Sequence, residues 1–82
     1  MSIKNQHFAK YIKEFLNESQ LSSRQLALLA GLEHASIGQY VRGERLPRVS
    51  SLIYLTTAIA KHKNVNFKDE LYNVIMCLSK DI

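Results

Sequence analysis

Hydrogen-bonding side chains crowd around a single isoleucine in this chain. Residues 32–43 read LEHASIGQYVRG, so His34, Ser36, Gln39 and Arg42 all lie within five positions of Ile37, and the following ERLPR adds Arg45 and Arg48. An imidazole, a hydroxyl and a carboxamide can each donate and accept, whereas a guanidinium only donates, through a planar fork matched to phosphate or carboxylate. That is the chemistry of recognition. Bond-breaking chemistry lacks its parts: His7, His34 and His62 are scattered, no carboxylates cluster, and Cys77 has no histidine at helical spacing. Neither a metal site nor a nucleophile–base dyad can be assembled from such a set. We therefore expect no enzyme, no catalytic or metal-binding residue and no cofactor.

The charge distribution narrows the ligand. The formal net charge is +4. Residues 21–63 hold six basic side chains (Arg24, Arg42, Arg45, Arg48, Lys61 and Lys63) against two acidic ones, Glu33 and Glu44, while the five basic and five acidic residues elsewhere cancel. The whole excess thus lies in the middle of the chain, which favours a polyanionic partner.

The elements that must position these groups are short helices. At 82 residues the chain reads as one domain near the lower limit for a self-sufficient core. Phe8, Tyr11, Ile12, Phe15 and Leu16 form an i, i+3, i+4, i+7, i+8 stripe over about residues 3–17. In LSSRQLALLAG, Ser22 is the N-cap, Leu26, Leu29 and Ala30 face inward, and Gly31 stops the helix. A third helix fits about residues 33–41, with Ile37, Tyr40 and Val41 inward and Gly43 ending it. A fourth spans about residues 49–62 through Leu52, Ile53, Leu55, Thr56 and Ile59. The fifth, about residues 67–80, carries Leu71, Val74, Ile75 and Leu78. No alternating stretch long enough for a strand appears, and the expected class is all-α.

The second and third helices are about two turns each, joined by three or four residues around Gly31, a connection that sets short helices at a steep angle. Ala27 is small where they cross, and Gly31 suits a left-handed backbone. With Ile37 as the inward anchor, His34, Ala35, Ser36, Gly38, Gln39 and Arg42 remain on the free face. Most are short, so the helix could lie deep in a groove about 12 Å wide.

The ordered pattern L-S-S-R-Q-L-A-x-x-A-G-L-x-x-x-x-I-x-x-Y-x-R-G-x-x-x-P resembles the lambda-repressor/Cro-type helix-turn-helix family over about residues 21–60. The resemblance implies a compact five-helix domain over residues 1–82, with the helix-turn-helix at about 22–42. It implies a dimeric, sequence-specific regulator of double-stranded DNA, most simply a repressor on a two-fold-symmetric operator. It carries base reading onto His34, Ala35, Ser36 and Gln39. Gln39 can pair with adenine or donate and accept elsewhere, and Ala35 can offer its methyl to thymine. Phosphate contacts, which set register while bases carry sequence, are expected from Ser22, Ser23 and Arg24 at a helix N-terminus and from Arg42, Arg45 and Arg48 beyond the reading helix.

The chain departs from the family at several points. A Glu common two residues before the terminating Gly is here Val41, and its usual Arg partner is Leu16, so an ion pair is replaced by a predicted apolar contact. Glu33 stands where a Ser, Thr or Asp cap is usual. Gly38 costs about 1 kcal/mol against Ala inside a helix, and either close approach to DNA or close helix packing would account for it.

Family members usually pair, and Leu71, Val74, Ile75 and Leu78 offer a dimer surface if they do not simply close the core. The competing function is a protein-interaction module or antitoxin that binds a partner protein through the same fold. No run reaches the roughly 18 apolar residues of a membrane span. No apolar leader is seen, and the single cysteine fits a reducing cytoplasm.

Overall fold

Each apolar stripe becomes the inner face of a helix. The computed structural model describes residues 5–82 and contains α1 (Gln6–Ser19), α2 (Ser23–Ala30), α3 (His34–Val41), α4 (Val49–Lys63) and α5 (Phe67–Asp81), with no strand among the described residues. The expected start of the first helix near Ile3 lies outside them. Within them α1 begins at Gln6 and runs two residues past the expected end.

The five helices pack as a closed ring: α1 against α3, α3 against α2, α2 against α4, α4 against α5, and α5 back on α1. Phe8, Ile12, Phe15, Leu26, Ala27, Ile37, Tyr40, Leu55, Ile59 and Val74 fill its centre. Leu16 and Val41, expected to replace an ion pair, are both partly buried against this core. The stripes were misjudged at three edges. Leu29 and Ile53 were expected inside but are 57% and 44% exposed. Ala27, expected small at a helix crossing, is buried, and so is Ala58, which the stripe read from the sequence did not include. In α5, Val74 is fully buried, Leu71 and Leu78 are half-buried, and Ile75 is exposed. The expected dimer stripe therefore divides: Val74 belongs to the monomer core and cannot meet a second chain.

The ring closes at α1, α4 and α5 around a charge that the periodicity did not reveal. Glu70 is 3% exposed, and its Oε2 accepts hydrogen bonds from the Tyr11 hydroxyl and from Lys63 Nζ, the latter at 3.0 Å. Lys63 also lies over the Tyr11 and Phe15 rings, 5.7 and 6.0 Å from their centroids. Burial, and then the bond to the Glu70 carboxylate, pushes the Tyr11 phenol far above its usual range. Nearby, the Asp81 carboxylate accepts from the backbone N–H groups of His7 and Phe8 at 3.0 and 2.8 Å. The last turn of α5 thereby caps the first turn of α1, whose own N-cap residue, Asn5, makes no side-chain cap bond. No helix among the described residues is long and apolar enough to cross a membrane.

Candidate nucleic-acid interface

Local sequence builds α2 and α3 and the tight connection between them. The Ser22 hydroxyl accepts from Gln25 N–H at 3.1 Å while Gln25 Oε1 accepts from Ser22 N–H at 2.8 Å. This reciprocal cap satisfies two donors at the start of α2. Gly31, at φ +70°, ends the helix, and its N–H returns to the Ala27 and Leu28 carbonyls. Three residues later α3 begins. Glu33 occupies its N-cap position without a side-chain cap bond, so its charge rather than a hydrogen bond suits the helix end.

Packing then sorts the faces of α3. Ile37 and Tyr40 are 0% exposed. His34 and Ala35 are exposed, while Ser36, Gly38 and Gln39 are partly so. Of the expected base readers, Ala35 and Gln39 lie opposite the two buried anchors on this two-turn helix, while His34 and Ser36, one turn before Ile37 and Tyr40, lie at the edges of that face. Arg24 of α2 reaches the same surface, since it lines a shallow groove with Ala27, Leu28, Leu32 and His34. Ser22 is exposed and Ser23 partly so. The Ser22 hydroxyl accepts in the cap but keeps its own hydrogen for donation. The N–H groups of Ser23 and Arg24 precede the first intrahelical bonds and project from the helix end.

The segment after α3 is held back against the helix. Gly43 takes φ +72°, and the Glu44 N–H bonds the Gln39 carbonyl at 2.9 Å, the six-to-one closure of a left-handed helix end. Asn5 Nδ2 donates to the Gly43 carbonyl at 3.2 Å and fixes the turn from the α1 side. Within it, Arg42 pairs with Glu44 through bonds of 2.7 and 3.3 Å. That bond raises the Arg42 pKa and holds the Glu44 carboxyl below its usual range. Arg45 donates to Gln39 Oε1 at 3.0 Å and sits over the Tyr40 ring. Arg48 and Arg24 have no ion-pair or side-chain hydrogen-bond partner among the described residues. Two of the four expected phosphate-binding arginines are thus already engaged.

Two features escaped the sequence. The nearest atoms that a Cβ on Gly38 would meet belong to the Arg42 guanidinium, at 3.0 Å, the far end of a flexible and exposed side chain. Leu28, 77% exposed, stands at the rim beside His34. Its place outside the inward stripe was the available signal. Cys77 is half-buried, and burial pushes its thiol pKa up, away from the reactive thiolate.

No family model matches this chain, and neither a curated protein nor a solved structure matches it. The geometry of the site therefore carries the functional reading.

Proposed function

We propose that the chain is a sequence-specific regulator of transcription that binds double-stranded DNA, with α2 and α3 acting as a helix-turn-helix. In this reading α3 enters the major groove. His34, Ala35, Ser36 and Gln39 meet base edges, and Ser22, Ser23, Arg24, Arg42, Arg45 and Arg48 hold the flanking phosphates. One observation carries the reading: Ile37 and Tyr40 are wholly buried while the other flank of the same short helix is polar, narrow and open, between arginines on both sides. An all-apolar pocket would suit a small ligand, and a merely solvated face would not call for cations gathered at each end.

Binding as a homodimer follows from the limited information in one half-site. Two copies place reading helices about 34 Å apart along the duplex, and their symmetric operator suits a repressor. The surface left for a second copy keeps only the exposed part of the stripe read from the sequence. It is the exposed edge bearing Tyr72, Ile75 and Met76 on α5, with the apolar groove of Ile53, Val65 and Phe67 between α4 and α5.

Selection of bound duplexes from a random pool tests the proposal. The expected result is an enriched motif with two-fold symmetry and half-sites about one helical turn apart. A pool that stays unenriched at low salt would end it. The exposed Leu28 and Leu29 on α2 favour a second reading, a partner protein docked on the same domain. In that case alanine at Gln39 and Arg42 leaves DNA affinity unchanged.

A further inference from the structure

Among the polar side chains of the candidate interface, Gln39 is the one held by a cation. The partner determines which end of the amide is free. A guanidinium has donors and no acceptor, so the amide atom facing Arg45 Nη1 at 3.0 Å must be oxygen. The Nε2 group is then the unengaged end. Arg45 is itself held in place. Its guanidinium carbon lies 5.8 Å from the centroid of the Tyr40 ring, that ring is fully buried, and the Gly43 turn brings the chain back over α3.

We infer that Arg45 is a positioning residue that sets the base preference of Gln39, turning it from an adenine reader into a guanine reader. The inference rests on the DNA-reading proposal above. A glutamine reads adenine by accepting from the N6 amino group while donating to N7. With Arg45 on one lone pair of the amide oxygen, an incoming amino hydrogen is left the second lone pair only, beside a full positive charge that repels it. Guanine presents two acceptors, O6 and N7. Its edge matches the free Nε2–H donors of Gln39, and O6 is attracted by the nearby Arg45 charge. Exclusion of water from the groove strengthens both effects, since the bond is exposed in the free protein and gains in a low-dielectric interface. Arg42 does not take this role, because its guanidinium is bound to Glu44.

The test is selection from random duplexes with five full-length proteins: the parent, Gln39→Ala, Arg45→Ala, Arg45→Lys and Arg48→Ala, each checked for folding by circular dichroism. In the parent, guanine is expected at the half-site position that a Gln39→Ala control shows to be read by Gln39. Arg45→Ala should shift that position toward adenine by at least about fivefold, the lower end of one good base contact. Arg45→Lys should keep guanine, whereas Arg48→Ala should keep the entire motif and bind more weakly. An unchanged motif in Arg45→Ala, with affinity lowered for all sequences alike, would overturn the inference and reduce Arg45 to a phosphate contact. Adenine at that position in the parent would overturn it as well. If the parent enriches no motif, the DNA-reading proposal fails first and takes this inference with it.

Discussion

Two ion pairs in this small molecule use the same chemistry in opposite surroundings. Lys63 and Glu70 meet at 3.0 Å with side chains 33% and 3% exposed; Arg42 and Glu44 meet at 2.7 Å with side chains 59% and 50% exposed. Around Glu70 the phenol of Tyr11 and the flanking rings replace water, so removing a partner strands a buried charge. Around Glu44 water replaces any partner that leaves, and such pairs contribute little to stability. The inner pair joins α4 to α5 where the ring of helices closes. The outer pair, held in water, can open when a better anion arrives.

The largest effect should come from the inner pair. Glu70→Ala removes the common acceptor of Tyr11 and Lys63, and we expect a loss of about 3 kcal/mol in urea unfolding. The value lies at the low end for buried pairs because Lys63 can turn to solvent. A loss near zero would make the two pairs equivalent and break the comparison.

Tyr11→Phe should cost about 2 kcal/mol near neutral pH, the range for a hydrogen bond to a charged group. It also has a pH signature. Because the folded-state phenol pKa is raised, the native protein holds this proton more tightly than the unfolded chain does. The stabilisation is complete below about pH 10, the ordinary phenol value, and falls as pH rises beyond it. Unfolding midpoints measured from pH 8 to 11 should therefore drop less steeply in Tyr11→Phe than in the parent.

On the outer side the effects should fall on binding rather than folding. Arg48→Ala should weaken all duplexes alike and reduce the salt slope of log affinity by about one unit. Glu44→Gln should be the mildest change, with an unfolding midpoint indistinguishable from that of the parent. It should nevertheless raise affinity for any duplex, since Arg42 is then free to meet phosphate. Weaker binding by Glu44→Gln would show that the carboxylate orients Arg42 for its ligand instead of occupying it.

Much of the fold was legible because its rules are local. The Ser22 cap, the Gly31 and Gly43 turns and the 3.6-residue stripes depend on neighbours in the chain, and each helix appears within a few residues of its expected bounds. The errors fall where a partner helix decides. Leu29 and Ile53 have the period of inward residues, yet they face solvent while Ala27 and Ala58 are buried. Glu70 reads as a surface carboxylate on α5 until Tyr11, 59 positions away, and Lys63 meet it. The candidate site was legible as a set of residue types around Ile37. The engagement of Arg42 and Arg45 was not.

From the sequence alone came the number and type of helices, the basic middle segment, and the inward turn of Ile37 and Tyr40, because backbone propensity, capping and apolar period act over one or two turns. Tertiary structure alone decided that Val74 belongs to the core and that Glu70 is a buried acceptor. It also decided that Gln39 presents its amide nitrogen while Arg45 holds the oxygen. The first two depend on side chains brought together from distant helices, and the third on how the Gly43 turn folds the chain back over α3, and none of these has a period to read.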